Sequence, residues 1–88
     1  MYTVVLSERA KKQLAKLDKH NAKLLTAWMR KNLENCTDPY AKGKPLVGNR
    51  KGTWRYRVGR YRIIVDIQDD KLIILVLAVG DRKNVYND

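Results

Sequence analysis

The stretch Trp54–Arg62 constrains the fold more than any other, because it predicts two strands joined by a two-residue turn. Apolar and basic residues alternate on both sides of Gly59-Arg60, and a period of two is typical of a half-buried strand. A glycine at the first turn position favours a type II′ hairpin. That turn places Arg57 directly opposite Arg62 on one face of the sheet.

Arg55 shares a face with Arg57 and Arg62, so three guanidiniums are expected on one small patch of sheet. Like charges directly opposite one another destabilise a sheet. A bound anion would offset that repulsion, and we therefore predict an anion-binding site on this face. The alternative is a solvated polar face without a ligand.

The length and charge of the chain indicate its class and its kind of partner. At 88 residues, the chain is expected to form a single domain over residues 1–88, with one thin core. Lys and Arg number 19 against 9 for Asp and Glu, which gives a formal net charge of +10. So large an excess predicts a polyanionic partner: a nucleic acid, the ribosome or an acidic protein segment.

Cysteine and histidine are too scarce for a disulfide or a metal centre. Cys36 is the only cysteine, which excludes an intrachain disulfide and fits a reducing cytoplasm. His20 is the only histidine, so neither a His/Cys metal site nor another cofactor is expected. No stretch is long and apolar enough to predict a membrane span.

The first part of the chain predicts a strand and two helices. Tyr2–Leu6 is rich in residues that favour strands, and Ser7 is a suitable N-cap. A narrow apolar stripe with helical spacing follows over Glu8–Lys19. His20-Asn21 interrupts that pattern, and a second helix is expected to run to about Cys36.

A glycine- and proline-rich segment, Thr37–Gly52, follows the helices and contains no periodic run. A loop of this length is unusual in a compact domain and is often functional. It is also basic. Its cations are Lys42, Lys44, Arg50 and Lys51.

Three antiparallel strands are predicted to end the domain, over about Thr53–Val58, Tyr61–Gln68 and Lys71–Val79. One face of this sheet is continuously apolar and must be covered by the helical hairpin, with Trp28 and Met29 in the core. The residues expected on that face are Trp54, Tyr56, Val58, Tyr61, Ile63, Val65, Ile67, Leu72, Ile74, Val76 and Ala78.

The opposite face is basic towards one end and apolar towards the other. Its predicted members are Arg55, Arg57, Arg62, Asp66, Ile64, Ile73, Leu75 and Leu77. An uncovered apolar patch beside a basic one predicts a protein partner. The tail after Gly80 would bring Arg82 and Tyr86 beside the arginines if it folds back over the sheet. Tyr86 is alternatively a hydrophobic peg that tethers the C-terminus.

The order of elements and several local motifs resemble the RelE/ParE toxin superfamily. A strand, two helices, a basic loop and three antiparallel strands give a βααβββ fold of the α+β class, with the helical hairpin packed on one face of a small, mainly antiparallel sheet. The motifs similar to RelE are Leu46-x-Gly48, Trp54-Arg55-Tyr56-Arg57-Val58, Tyr61-Arg62, Val79-Gly80-x-Arg82 and Val85-Tyr86. The similarity covers essentially the whole chain, and the ordered set is far more specific than any single motif.

The resemblance implies a function as well as a fold. RelE proteins are toxins of type II toxin–antitoxin pairs and cut mRNA in the ribosomal A site. This chain is then expected to be a ribosome-dependent mRNA endoribonuclease that inhibits translation. Cleavage without a metal proceeds by attack of a ribose 2′-hydroxyl on the adjacent phosphate. Guanidiniums aimed at that phosphate stabilise the charge that develops on it.

The resemblance also implies the site residues, position by position. The family's two strand lysines fall on Arg55 and Arg57, and its strand arginine falls on Arg62. Its arginine after the last strand falls on Arg82, and its C-terminal tyrosine falls on Tyr86. In the family, the counterpart of Arg82 protonates the leaving 5′-oxygen, and that of Tyr86 stacks on or orients a nucleotide.

The chain departs from the family at the proposed general base, whose position is Arg57 here. Lysine can release a proton when positive charge surrounds it, whereas arginine effectively cannot. Four alternatives therefore stay open: Tyr86, an aspartate of the tail such as Asp81, a ribosomal group, or no discrete base. We favour the last, in which crowded arginines orient and activate the 2′-hydroxyl.

Two other functions stay open alongside RNA cleavage. ParE-type members share the fold but poison DNA gyrase, and they generally lack the set of basic residues and the terminal tyrosine found here. A non-catalytic basic module would bind RNA or the ribosome and leave mRNA intact.

The expected partners are mRNA, the ribosome and a cognate antitoxin. Ribosomal RNA phosphates would be bound by the lysine-rich helices and the basic loop. The residues assigned to RNA or ribosome binding are Lys42, Lys44, Arg50, Lys51, Arg60 and Lys83. An acidic, partly helical antitoxin segment would neutralise the arginines and cover Ile64, Leu75 and Leu77.

Overall fold

The computed structural model describes residues 1–46 and 52–81. Within them, two helices pack on a five-stranded mixed sheet in the order β1-β5-β4-β3-β2. The elements are β1 (Thr3–Leu6), α1 (Glu8–Lys16), α2 (Lys19–Asn32), β2 (Lys44–Pro45), β3 (Thr53–Val58), β4 (Tyr61–Gln68) and β5 (Ile73–Asp81). β1 pairs with β5 in parallel, and the remaining pairs are antiparallel. The predicted α+β architecture is confirmed, with the short strand β2 added inside the loop expected to lack regular structure.

Side-chain caps set where the two helices begin. The Ser7 hydroxyl accepts from the backbone N–H of Ala10 at 3.1 Å, which confirms the predicted N-cap. The break between the helices comes earlier than predicted. The Asp18 carboxylate accepts from the backbone N–H of Asn21 at 2.8 Å and starts α2 at Lys19.

The end of α2 was predicted too late, because the chain leaves the helix to bond the edge strand. Asn35 has a φ of 62°, and its N–H donates to the carbonyl of Tyr2 at 2.8 Å. The N–H of Tyr2 in turn donates to the carbonyl of Cys36 at 2.9 Å. The Glu34 carboxylate accepts from the N–H of Val4 at 3.1 Å. These bonds cover part of the outer edge of β1.

The β3–β4 hairpin has the predicted turn and register. Gly59 has a φ of 59°, whereas Arg60 has a negative φ, as a type II′ turn requires. Val58 pairs with Tyr61 and Arg57 pairs with Arg62.

The core lies between the helices and the predicted apolar face of the sheet. Its buried members are Tyr2, Ala10, Leu25, Met29, Leu33, Tyr56, Val58, Tyr61, Ile63, Val65, Ile67, Ile74, Val76 and Val79. None of the helices in the described residues has the length and apolarity that crossing a bilayer requires.

Two residues assigned to the core face lie elsewhere. A register shift pairs Ile64 with Ala78 and Val65 with Val76, so one extra residue of β5 bulges out. The shift moves Ala78 to the arginine face and places Val79 against the helices. Leu72 belongs to the β4–β5 turn with a φ of 54° and is exposed, because that turn is longer than the predicted Asp69-Asp70.

Candidate functional site

A cleft of about 450 Å³ lies beside β3 and gathers five of the six predicted site cations that lie within the described residues. We call it the cationic cleft. Its described lining consists of Lys42, Lys44, Arg55, Arg57 and Arg62, with Trp28, Gly43 and Tyr56. None of these residues is acidic, so the lining suits an anion with several oxygens.

Strand pairing explains why these cations share one side of the sheet. Directly paired residues point to the same face. Lys44 pairs with Arg55, and Arg57 pairs with Arg62. Arg62 is 3% exposed, whereas Arg57 is exposed at the surface of the domain. The cleft therefore combines a buried guanidinium with one that is accessible to a ligand.

Aromatic side chains hold the segment that supplies the two lysines. The indole N–H of Trp54 donates to the carbonyl of Lys42 at 2.7 Å, and the Tyr56 hydroxyl donates to the carbonyl of Pro39 at 2.6 Å. The ring of Tyr40 packs edge-on against that of Trp54, with centroids 5.0 Å apart. These contacts fix the backbone that carries Lys42 to the mouth of the cleft.

Gly43 allows that backbone to approach β3 closely. Its φ is 75°, and a Cβ there would lie 2.7 Å from Cδ1 of Tyr56 and would also overlap the carbonyl oxygen of Arg55. Only glycine has the space and the backbone freedom for this position. Close approach of two backbones has no local sequence pattern, so the sequence shows Gly43 only as one glycine of the loop.

Two tyrosines and an aspartate form a second anchor for the same segment. The Asp69 carboxylate accepts from the Tyr2 hydroxyl at 2.6 Å and from the Tyr40 hydroxyl at 2.8 Å. Both bonds lower the pKa of Asp69. The bond to Asp69, followed by burial, raises the pKa of Tyr2 to about 12. Burial, followed by the same kind of bond, raises the pKa of Tyr40 to about 12.

The tyrosine that lines the cationic cleft is unsuited to accept a proton. Burial raises the pKa of Tyr56 strongly, and its hydroxyl is committed to the Pro39 carbonyl. Tyr56 therefore lines the cleft and holds the loop at Pro39 in place.

Trp28 has a second role that its helical spacing did not reveal. It packs against the core, as predicted, with its ring centroid 5.5 Å from that of Tyr56. It also lines the cationic cleft. Because aromatic faces bind nucleobases by stacking, this ring adds a feature typical of sites for single-stranded nucleic acid.

Arg60 lies away from the other predicted RNA-binding residues. Its guanidinium binds the Asp81 carboxylate at 2.6 Å. The Cζ atom of Arg60 also lies over the Tyr61 ring, 5.7 Å from the ring centroid. The bond to Asp81 raises the pKa of Arg60. It lines a separate depression with Gln13 and Lys16.

The other predicted site residues fall into two groups. Arg50, Lys51, Arg82, Lys83 and Tyr86 lie outside the described residues. The residues predicted to bind an antitoxin adjoin the arginines, because Ile64 pairs with Arg55 on one face. Leu75 pairs with the exposed Val5, and Leu77 is half-buried at the bulge. The basic and apolar parts of this face are thus contiguous.

A metal ligand set is not apparent in the described residues. Neither residues 1–46 nor residues 52–81 contribute to a group of three or more His, Cys, Asp or Glu side chains that could hold a metal ion.

The sequence matches known toxins over nearly its whole length. The family model described as ParE toxin of type II toxin-antitoxin system, parDE, matches residues 4–86. A putative RelE-like toxin protein from Escherichia coli is 33% identical, over 98% of this chain and 90% of its own length. Toxin RelG from Mycobacterium tuberculosis is 29% identical, over 97% of this chain and 95% of its own length.

The fold matches solved toxin structures as well. A chain of the RelBE2 toxin–antitoxin complex from Mycobacterium tuberculosis has a TM-score of 0.81 at 30% identity, with 92% of this chain and 98% of that chain covered. The isolated RelE toxin of Escherichia coli shares the fold, with a TM-score of 0.72 at 24% identity over 98% of this chain and 92% of its own. The chain therefore belongs to the RelE/ParE superfamily of type II toxin–antitoxin toxins. Within it the relatives are RelE-type toxins, and the predicted resemblance to RelE is confirmed.

Proposed function

We propose that this toxin is a ribosome-dependent mRNA endoribonuclease that cuts mRNA in the ribosomal A site and so inhibits translation. The observation that carries the proposal is the convergence of Lys42, Lys44, Arg55, Arg57 and Arg62 on one cleft. Cleavage of RNA passes through a phosphorane that carries more negative charge than the starting diester. Fixed cations around the scissile phosphate stabilise that charge most where it develops.

The proposed reaction needs no metal. The 2′-oxygen loses its proton and forms a bond to the adjacent phosphorus, and the bond from phosphorus to the 5′-oxygen breaks. The 5′-oxygen takes up a proton, so the products are a 2′,3′-cyclic phosphate and a 5′-hydroxyl. Arg55, Arg57 and Arg62 would hold the phosphate. By analogy with the family, Arg82 would protonate the leaving oxygen and Tyr86 would orient a nucleotide.

Electrostatics would bring the toxin to the ribosome. The net charge of +10 favours ribosomal RNA, whose phosphates attract Lys and Arg without sequence reading. The basic loop and the lysine-rich helices would make these contacts. Trp28 would offer its ring to a base of the mRNA beside the scissile phosphate.

The test is to incubate the protein with programmed ribosomes and separately with naked mRNA, then to map cut ends by primer extension. We expect discrete cuts within the A-site codon on ribosomes and little cleavage of naked mRNA. If the protein binds RNA with steep salt dependence and leaves it intact in both reactions, the protein is a non-catalytic binding module.

A second candidate function is inhibition of DNA gyrase, because the matching family model is the one named for ParE toxins. Expression of the toxin distinguishes the two. Fragmented mRNA without DNA damage supports the endoribonuclease. A DNA-damage response with intact mRNA supports the ParE-type activity. The cationic cleft favours the first, because a phosphate-binding set of five cations has an obvious use in RNA cleavage.

We also propose that an antitoxin covers the arginine face of the sheet. Solved relatives include toxin–antitoxin complexes, among them the intact RelBE complex of Escherichia coli. An acidic, partly helical segment would neutralise the arginines and bury Leu75 and Leu77. Leu75→Asp is expected to weaken antitoxin binding at least about 10-fold, since a charge would then be desolvated at the interface. Titration calorimetry with the cognate antitoxin measures this. Unchanged affinity would contradict the placement.

A further inference from the structure

Attack by the 2′-hydroxyl releases a proton, and the arginines of the cationic cleft cannot accept it. Guanidinium groups stay protonated in proteins. The Tyr56 hydroxyl is bonded to the Pro39 carbonyl and has a raised pKa. Among the described residues that line the cleft, the lysine amines of Lys42 and Lys44 are the groups that remain.

Of the two lysines, Lys44 is the one that strand pairing positions. It lies in β2 and pairs directly with Arg55 of β3. Directly paired side chains start about 4.5–5.5 Å apart at Cβ, and diagonal neighbours about 7–8 Å apart. Lys44 is therefore beside Arg55 and diagonal to Arg57, on the face that also carries Arg62. Lys42 precedes the strand, so its side chain lacks this restraint.

We propose that Nζ of Lys44 accepts the proton of the attacking 2′-hydroxyl. This inference rests on the proposed endoribonuclease function. Arginines replace the family's two strand lysines in this chain, and Lys44 would take over the role of the base. The proton moves from the 2′-oxygen to Nζ of Lys44 as the bond from the 2′-oxygen to phosphorus forms. The bond from phosphorus to the 5′-oxygen then breaks, and the 5′-oxygen takes a proton from the donor proposed above. Lys44 returns its proton to water, from which that donor regains one.

Among the described residues that line the cleft with Lys44, the charged ones are all cationic, and Tyr56 is the other titratable group. The cationic ones are Lys42 of the preceding loop, Arg55 and Arg57 of β3, and Arg62 of β4. Such surroundings hold the substrate phosphate close to the amine.

The test is single-turnover cleavage on programmed ribosomes by the unmodified protein, Lys44→Arg and Lys44→Ala. Loss of a general base typically costs 100- to 10,000-fold, so both variants should cleave at least about 100-fold more slowly. Ethylamine should restore cleavage by Lys44→Ala about 10-fold or more, because a small amine can occupy the vacated space. The restored rate should rise with pH and with the basicity of the added amine.

Matched variants separate a base from a simple charge. Lys71→Ala removes the same charge from the exposed β4–β5 turn and should keep the rate. Lys42→Ala should weaken binding and should not respond to ethylamine. A Lys44→Arg variant that cleaves at the unmodified rate, or a Lys44→Ala variant that no amine restores, overturns the role of Lys44. Absence of cleavage by the unmodified protein overturns the proposed function itself.

Discussion

Arg57→Ala is expected to abolish mRNA cleavage, whereas Arg57→Lys is expected to keep most of it. Arg57 is exposed in the cationic cleft, directly across from Arg62. If Arg57 stabilises charge on the phosphate, a lysine of similar length should provide part of the same stabilisation. Removal of one such group from a catalytic site typically costs about 100- to 1,000-fold in rate. Single-turnover cleavage on programmed ribosomes measures the effect.

The stability of both variants should barely change, because the Arg57 side chain is exposed. Arg57→Ala also removes one of two opposed cations, which relieves their repulsion. Thermal unfolding checks that the loss of rate does not reflect unfolding. Lys71→Ala again controls for the loss of one charge. If Arg57→Ala cuts mRNA on ribosomes at the native rate, the assignment of Arg57 to the site is wrong.

Gly43→Ala is expected to lower the free energy of unfolding more than the addition of a methyl group anywhere else in the loop. A Cβ there overlaps the carbonyl oxygen of Arg55, and the φ of 75° is unfavourable for alanine. The positive φ costs about 1–2 kcal/mol. Overpacking against fixed backbone adds about 1–3 kcal/mol. Because Gly43 separates Lys42 from Lys44, its displacement should also slow cleavage strongly.

Gly59→Ala is the matched control for this experiment. Gly59 also has a positive φ, 59°, but a Cβ there meets nothing within 4 Å. It should therefore lose only the conformational part, about 1–2 kcal/mol in the free energy of unfolding. Urea unfolding of both variants separates strain from steric overlap. Equal losses would show that the loop does not approach β3 as closely as described.

Local signals accounted for much of the fold and for three arginines of the cleft. The glycine of Gly59-Arg60 set the turn, and the turn fixed the pairing of Arg57 with Arg62. Alternation along β3 then placed Arg55 on the same face. These features depend on neighbours a few residues apart, so a sequence pattern can show them.

Features that depend on distant contacts could not be predicted in the same way. The bulge in β5 places Val79 in the core instead of Ala78. An apolar run does not reveal such a bulge, because either residue is suited to a core. β2 comprises only Lys44 and Pro45, too few residues for a period. Trp28 carried only the spacing of a core residue. Their positions depend on packing between segments that the chain separates.

The helix boundaries show a milder form of the same limit. The sequence contains Asp18 and His20-Asn21 within a few residues, and either could interrupt a helix. The Asp18 side chain captures the backbone N–H of Asn21, which makes the aspartate the cap. A capping residue was thus present in the sequence, whereas the loss of apolar spacing begins only at His20.

The proposed attack by the 2′-hydroxyl is tested most directly with an A-site mRNA that carries a single 2′-deoxynucleotide on the 5′ side of the scissile bond. The all-ribose mRNA should be cut on programmed ribosomes to give a 2′,3′-cyclic phosphate and a 5′-hydroxyl, and the 2′-deoxy mRNA should remain intact at that bond. Cleavage of the 2′-deoxy mRNA at the same rate, or products that carry a 5′-phosphate, would contradict attack by the 2′-hydroxyl on the adjacent phosphate.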